Sequence, residues 1–211
     1  MYEMYNPQSP GAWIMYVITA LSVVAVVFIV ERFLALSAAR TNLKRFQPEF
    51  EERVGKAQIE EARELCRAQK GVIPQVLDFA LGQVELTPDD LRQILADEIH
   101  MGVLPRLEKN LGVMATIGRG APMLGLLGTV MGMIELFATI QHKTDFNVSD
   151  IAGGIFTALG TTAAGLMVAI PILFFHSYFK ASVLQIERDL HKTLSALLRL
   201  LRRREGAPRA R

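Results

Sequence analysis

Three apolar blocks dominate the pattern of hydrophobic and polar positions along the chain. The first, Ala12–Val30, spans 19 residues without a charge, which is enough to cross a hydrocarbon core of about 30 Å at about 1.5 Å per helical residue. The second, about 111–140, contains only Arg119 and Glu135 as charged residues, and the third, Ile151–Phe179, contains none. This pattern predicts three membrane-spanning helices.

The first block has one competing interpretation, a cleavable signal peptide. Signal peptides combine a basic leading region, a shorter apolar core and a small-residue cleavage site. Residues 1–11 contain no Lys or Arg, and Glu31-Arg32 follows the block directly. We therefore expect this block to remain in the protein as a membrane helix.

A charged segment, 31–119, separates the first two blocks and is rich in residues that favour helices. Thr87-Pro88-Asp89-Asp90 predicts a helix start, with an N-cap, a proline at the first helical position and acids in the first turn. An apolar face follows at helical spacing, formed by Leu91, Ile94, Leu95 and Ile99. The segment is predicted to be a small helical bundle whose last helix runs into the second span, with a bend or break at Pro105.

Residues 180–211 keep a helical apolar pattern as far as Leu198, so the third span is predicted to continue as an extended helix. Arg202-Arg203-Arg204 could bind anionic lipid headgroups or nucleic acid. Because this run closes a helix that leaves the membrane, we interpret it as a positive-inside anchor against membrane lipids, with no nucleic-acid partner. Residues 206–211 are expected to fray.

Basic residues are distributed unevenly among the segments between the blocks. Residues 1–11 hold none, 31–119 hold 13, 141–150 hold one and 180–211 hold nine. The positive-inside rule therefore places the N-terminus outside and the two basic segments in the cytoplasm, with Arg119 at the cytoplasmic edge.

The predicted fold class is all-α: a polytopic membrane protein with three transmembrane helices and a cytoplasmic helical domain formed by extended helices. The predicted segments are a periplasmic N-terminus (1–11), transmembrane helix 1 (12–30), the cytoplasmic domain (31–119), transmembrane helix 2 (120–140), a periplasmic loop (141–150), transmembrane helix 3 (151–179) and a cytoplasmic C-terminal helix and tail (180–211).

Residues for catalysis or metal binding are sparse. The single cysteine, Cys66, excludes an intrachain disulfide and has no histidine near it in the sequence. The four histidines lack metal-ligand spacing, and no phosphate-binding loop or dinucleotide fingerprint occurs. We therefore expect no enzyme activity, no metal and no cofactor.

Small residues form stripes in the second and third blocks. Gly125, Gly128, Thr129 and Gly132 fall within an arc of about 100°, and the third block presents one broad face with Thr162 at its edge, formed by Gly153, Gly154, Thr157, Gly160, Thr161 and Ala164. Such stripes let helices approach closely in lipid. They either serve packing alone, with each threonine bonded to its own helix, or also line an aqueous pathway, and the spacing leaves both open.

Glu135 is the acidic residue of the second block. An ionisable group within a span is costly to expose to lipid, which makes it a functional hypothesis. Five residues separate it from Ile140 and the outer loop, so its side chain can reach the interface. We favour an interfacial or pore-mouth position for Glu135 over a deep proton site.

Two longer motifs carry a family resemblance. Residues 121–134, with the sequence APMLGLLGTVMGMI, resemble the span-two signature of the ExbB/TolQ/MotA proton-channel family. Gly154-Ile155 and the run 158–171, ALGTTAAGLMVAIP, resemble its span-three signature, and Glu31-Arg32 after the first span also fits. Three spans rather than four make the chain more similar to ExbB and TolQ than to MotA.

The resemblance implies a homopentamer whose second and third spans line a central pore. Two copies of an ExbD/TolR-like partner with one membrane helix would lie in that pore and carry the proton-exchanging aspartate. Thr129 and Thr162 match the family's pore threonines, and we assign Thr157 and Thr161 to the same lining. Helix packing is assigned to Gly125, Gly128, Gly132, Gly154 and Gly165.

Three positions depart from the family pattern. Thr157 stands where ExbB and TolQ carry a glutamate, Glu135 where they carry an uncharged residue, and Arg119 where small apolar residues are usual. These differences indicate a divergent branch of the family.

The resemblance thus implies the ring subunit of a proton-driven motor in the bacterial inner membrane, which would convert proton-motive force into movement of a partner that reaches across the periplasm. Two alternatives stay open at this point: an ion channel without a motor partner, and a membrane scaffold in which the small-residue faces only pack.

Overall fold

The computed structural model describes residues 12–84, 86–142 and 147–205. These residues contain α-helices, one π-helical turn and no strand, so the all-α prediction is confirmed. The elements are α1 (Ala12–Ala39), α2 (Leu43–Gly55), α3 (Ile59–Ala68), α4 (Val72–Gly82), α5 (Pro88–Asp97), the π-helical turn (Glu98–Val103), α6 (Leu104–Glu108), α7 (Leu111–His142) and α8 (Val148–Glu205). The predictions for 1–11, Lys143 and 206–211 lie outside the described residues.

Three helices, α1, α7 and α8, are long and apolar enough to cross a membrane. Large apolar side chains on these helices are exposed, among them Val27, Leu126 and Phe174. An apolar surface of this extent is typical of helices that face lipid or neighbouring helices. The predicted number of spans is confirmed, whereas the direction in which each crosses stays a prediction.

The third long helix continues far beyond the length that a bilayer requires. α8 covers 58 residues and continues through Pro171, as the periodic pattern after the third block predicts. Its later part buries one apolar stripe at helical spacing, formed by Phe179, Val183, Ile186, Leu190, Leu194 and Leu197.

The start of α5 follows the predicted pattern. Thr87 is the N-cap and accepts a hydrogen bond on Oγ1 from the Asp90 backbone N–H at 3.2 Å, and Pro88 occupies the first turn. Leu91, Leu95 and Ile99 are buried as predicted, but Ile94 remains 37% exposed. Ile94 therefore lies at the border of the predicted apolar face.

The connection into the second span differs from the prediction. The chain passes from α5 through the π-helical turn into α6, whose first turn accommodates Pro105. The helix then breaks at Lys109 and at Asn110, whose φ of +62° lies in the left-handed region. The last helix of the charged segment therefore does not run into the second span, because the break falls after Pro105 and is made by a residue type that tolerates positive φ.

The described residues divide into two compact units. The first comprises the chain up to Arg32 together with Asn110–Tyr178, and the second comprises Phe33–Lys109 together with the chain from Phe179. The core of the second unit is apolar: Phe46 and Phe50 of α2 stack at 5.6 Å between ring centroids, and side chains of α3, α4 and α5 are buried with them. This unit is a helical bundle, as the sequence pattern of residues 31–119 predicts.

Within the first unit, three polar residues, Glu31, Arg32 and Asn110, form a hydrogen-bonded cluster where α1 and the start of α7 meet. Arg32 is buried and its guanidinium donates to Glu31 Oε1 at 2.8 Å. Asn110 Nδ2 donates to Glu31 Oε2 at 2.6 Å. A buried guanidinium is tolerated only when it is paired and hydrogen-bonded. Glu31 provides the ion pair for Arg32, and its second carboxylate oxygen connects α1 to Asn110, the residue that precedes α7.

Candidate pore-lining site

The site is built on the close approach of α7 and α8. A Cβ atom at Gly165 would lie 2.5 Å from the Ala121 carbonyl oxygen and 3.1 Å from Gly125 Cα. A Cβ atom at Gly125 would in turn lie 2.9 Å from the Thr161 carbonyl oxygen. The two backbones are therefore in direct contact here, which only glycine permits at these two positions.

Further glycines extend this contact along both helices. A Cβ atom at Gly128 would lie 2.5 Å from Thr161 Oγ1, and one at Gly132 would lie 3.0 Å from Ala158 Cβ. At Gly154 the obstacle is the side chain of Leu136, at 2.7 Å. The structure thus places all five glycines assigned to helix packing at the contact between α7 and α8.

Not every small residue of the stripes takes part. A Cβ atom at Gly153, or at Gly120 on α7, would meet no atom within 4 Å. Spacing groups Gly153 with the contacting residues of the third block, whereas in the structure it borders open space. These two glycines lie beside the contact and provide natural controls for it.

Three threonine hydroxyls gather at the centre of the contact. Thr129 Oγ1 and Thr162 Oγ1 form a short hydrogen bond across the two helices. Thr162 Oγ1 also donates to the Gly125 carbonyl at 2.9 Å, and Thr161 Oγ1 lies 3.2 Å from the same oxygen. Thr129 Oγ1 lies 3.2 Å from the Ala158 carbonyl. The carbonyls of both helices and the three hydroxyls therefore form one hydrogen-bonded cluster, which we call the threonine cluster.

The threonine cluster has more donors than its main acceptor can serve. The Gly125 carbonyl has two lone pairs, but the hydroxyls of Thr129, Thr161 and Thr162 all lie within 3.3 Å of it. Thr161 is buried, while Thr129 and Thr162 are half-buried. The hydroxyls at the surface of the cluster can therefore turn from the backbone towards water or an acceptor outside the chain, because a hydroxyl both donates and accepts.

Thr157 lies apart from this cluster. Its Oγ1 donates to the Gly153 carbonyl of its own helix at 3.0 Å. At about 100° per residue, Thr162 is turned about 100° from Thr161 to one side of α8, and Thr157 is turned about 40° to the other side. The structure therefore brings Thr129, Thr161 and Thr162 together, whereas the Thr157 hydroxyl bonds to its own helix.

Glu135 lies one helical heptad after Gly128 on α7. It is turned about 20° from Gly128 to one side of α7, whereas Thr129 is turned about 100° to the other side. Glu135 is half-buried, and its backbone carbonyl accepts from Thr139 Oγ1 at 2.9 Å. Among the described residues, the hydrogen bonds of the threonine cluster do not include the Glu135 side chain.

The described residues contain no group of His, Cys, Asp or Glu arranged to hold a metal. Two features of the first unit have no clear signal in the sequence. The first is the burial of Arg32 and its link through Glu31 to Asn110, which depends on residues that lie far apart in the chain. The second is the exposed position of Arg119 on α7, which follows only from the orientation of the helix.

Comparisons with known proteins identify the family to which the chain is similar. Residues 47–192 match the model of the MotA/TolQ/ExbB proton channel family. The chain is 28% identical over 181 residues to the biopolymer transport protein ExbB of Pseudomonas putida, an alignment that covers 79% of this chain and 54% of that protein. It is 40% identical over 77 residues to the ExbB of Aquifex aeolicus, which covers 36% of this chain and 52% of that protein.

A further similar protein is the putative ExbB-like 3 protein of Synechocystis, at 36% identity over 101 residues, 47% of this chain and 48% of that protein. The chain spans about half the length of these relatives. The family model covers well over half of the chain, including α7 and most of α8. The chain is a multi-pass membrane protein and belongs to the MotA/TolQ/ExbB proton channel family.

Proposed function

We propose that this protein is the pore-forming ring subunit of a proton-driven motor in the bacterial inner membrane. In this proposal, copies of the chain form a homopentamer, and an ExbD/TolR-like single-span partner, in two copies, lies in its pore. Proton flow along the pore then moves the partner. Membership in a proton channel family and similarity to ExbB proteins support this proposal.

The observation that carries the proposal is the threonine cluster. A proton pathway needs groups that donate and accept hydrogen bonds without holding a fixed charge. Thr129 and Thr162 meet this requirement, since their hydroxyls are bonded across α7 and α8 and remain half-buried. In a ring, this edge of the helix pair faces the pore, and the hydroxyls bond to water or to the partner's carboxylate. Neither hydroxyl titrates at neutral pH, so the cycling proton belongs to the partner.

The remaining parts of the proposal follow from charge and position. The basic second unit is placed in the cytoplasm and the 141–150 loop in the periplasm, on the positive-inside rule. Thr161 supports the lining from behind, through its bonds to the Gly125 and Ala158 carbonyls at 3.2 and 2.7 Å. Thr157 and Glu135 lie closer in sequence to the 141–150 loop than Thr162 and Thr129 do, and Glu135 stands as the candidate acid of the pore mouth.

The direct test removes the Thr162 hydroxyl while keeping the shape of the side chain. The protein, co-expressed with a single-span ExbD/TolR-like partner, is reconstituted into liposomes, and proton flux under an imposed potential is followed with a pH-sensitive dye. We expect Thr162→Val to reduce the flux by at least about tenfold, since one lost charge-assisted hydrogen bond is worth roughly 1.5–3 kcal/mol. Thr162→Ser keeps the hydroxyl and should retain most of the flux.

The matched control is Thr116→Val on α7. Thr116 is exposed and its Oγ1 donates only to the Gly112 carbonyl, one turn earlier in its own helix, at 3.0 Å. This variant should keep the wild-type flux. Equal flux in Thr162→Val and Thr116→Val, with both oligomers intact, would remove the threonine cluster from the proton pathway and leave packing as its role.

A further inference from the structure

A cleft in the second unit has no part in the proposed proton pathway. It lies between α5 and the last turns of α8 and has a volume of about 410 Å³. Its lining residues are Arg92, Leu95, Ala96, Ile99, His191, Leu194, Ser195, Leu198, Arg199 and Arg202. Leu95, Ile99 and Leu194 form its buried floor, so the groups that remain available to a ligand are mainly polar.

The charged groups that line the cleft are all positive. The lining includes three arginines and no Asp or Glu. Arg202 is partly neutralised by Asp89, whose Oδ1 accepts from the guanidinium at 2.6 Å. Glu187 Oε1 lies 4.0 Å from His191 Nε2. Among the described residues, Arg92 and Arg199 form no ion pair within 4.0 Å, so two guanidinium groups that line the same cleft from α5 and α8 remain available to an anion.

The kind of anion follows from the shape and chemistry of the cleft. Guanidinium groups bind phosphate oxygens in pairs, through planar and charge-assisted hydrogen bonds. Ser195 adds a hydroxyl to the same wall. The volume falls within the range of about 300–1,000 Å³ that is typical of small-molecule sites, which favours a compact ligand over an extended peptide.

We propose that this cleft binds the phosphate or diphosphate group of a small organic molecule, with Arg92 and Arg199 as its principal ligands. The group belongs either to a soluble phosphorylated metabolite or to a lipid headgroup, and the chemistry of recognition is the same for both. A bound phosphate would link α5 to the end of α8. The inference goes beyond the proposed motor function and does not depend on it.

The test measures binding of pyrophosphate to the full-length protein in detergent, by isothermal titration calorimetry at physiological salt. The double variant Arg92→Gln/Arg199→Gln should weaken binding by at least about tenfold, because both charge-assisted contacts are lost. The matched control is Arg188→Gln, which removes an exposed arginine from the same helix α8. Arg188 donates to Gln185 Oε1 at 2.9 Å and does not line the cleft, so this variant should bind as the wild type does.

A second measurement separates the two sources of phosphate. Native mass spectrometry of protein extracted from vesicles of phosphatidylglycerol and phosphatidylcholine reports whether phosphatidylglycerol is retained. Arginine-dependent binding of pyrophosphate without retained lipid supports a soluble ligand, and arginine-dependent retention of lipid supports a headgroup. If neither pyrophosphate binding nor lipid retention differs between the double variant and Arg188→Gln, the cleft is not a phosphate site and the proposal is overturned.

Discussion

Replacement of Gly165 by alanine tests the backbone contact between α7 and α8. The new Cβ atom would lie 2.5 Å from the Ala121 carbonyl oxygen, whereas ordinary contact begins at about 3.4 Å. Because both obstacles, Ala121 O and Gly125 Cα, are backbone atoms, no side-chain rotation relieves the overlap. The helices must therefore move apart locally by close to 1 Å, the difference between the two distances.

The expected cost follows from that movement. A gap of this size forfeits roughly a quarter to a half of the dispersion energy of each contact that it opens, and overpacking of this kind costs about 1–3 kcal/mol in proteins. Hydrogen bonds of the threonine cluster bridge the same two helices, so they lengthen as well. Gly153→Ala on α8 is the matched control, because its Cβ atom would meet nothing within 4 Å. That control should be neutral or stabilising, by up to about 1 kcal/mol of helix propensity.

The assay is unfolding of both variants by sodium dodecyl sulfate titration in detergent micelles, followed by far-ultraviolet circular dichroism. Gly165→Ala should be less stable than Gly153→Ala by roughly 1–3 kcal/mol, because both replacements gain the same helix propensity and only Gly165→Ala carries the overpacking cost. Gly120→Ala on α7, which also borders open space, should behave like the Gly153 control. Equal stability of Gly165→Ala and Gly153→Ala would refute the inferred backbone contact.

Three further predictions concern single residues. Glu135→Gln should lower proton flux in the reconstituted complex if Glu135 lies at the pore mouth; full flux in that variant would instead show that its side chain rests at the lipid interface. Burial, with a smaller contribution from the charge of Asp78, raises the pKa of the Cys66 thiol to about 12. At pH 8 the folded protein should therefore react with a thiol reagent far more slowly than the unfolded chain. Rapid labelling of the folded protein would contradict this prediction. The same shift means that the unfolded thiol ionises first, so the contribution of Cys66 to stability is lost as the pH rises from about 8.5 towards 12. Thr87→Ala should lower the free energy of unfolding by about 1 kcal/mol through loss of the α5 N-cap, and an unchanged thermal midpoint against a Thr116→Ala control would show that the cap contributes nothing.

Features set by local chemistry could be predicted from the sequence. The three spans follow from uncharged runs of sufficient length, and the start of α5 follows from Thr87 and Pro88, whose roles depend only on their immediate neighbours. The long extension of α8 follows from a continuous apolar period. The sequence did not reveal at which residue the helix breaks before α7. The break falls at Asn110, which has a positive φ and whose side chain bonds to Glu31, a residue far away in the chain.

The candidate site shows the same limit. Spacing alone identifies small-residue faces, but it does not distinguish Gly165, which touches the Ala121 backbone, from Gly153, which borders open space. It also groups Thr157 with Thr161, although the crossing of the two helices leaves Thr157 bonded to its own helix. Which edge of a helix pair a residue occupies depends on how the partner helix crosses, and that information lies in the packing of both helices.

Native mass spectrometry tests most directly the proposed ring of this chain around a single-span partner. The protein is co-expressed with an ExbD/TolR-like partner, extracted in mild detergent and weighed as an intact complex. The account predicts five copies of this chain with two copies of the partner. A complex without the partner, or a chain that remains monomeric under conditions in which it is folded, would contradict it.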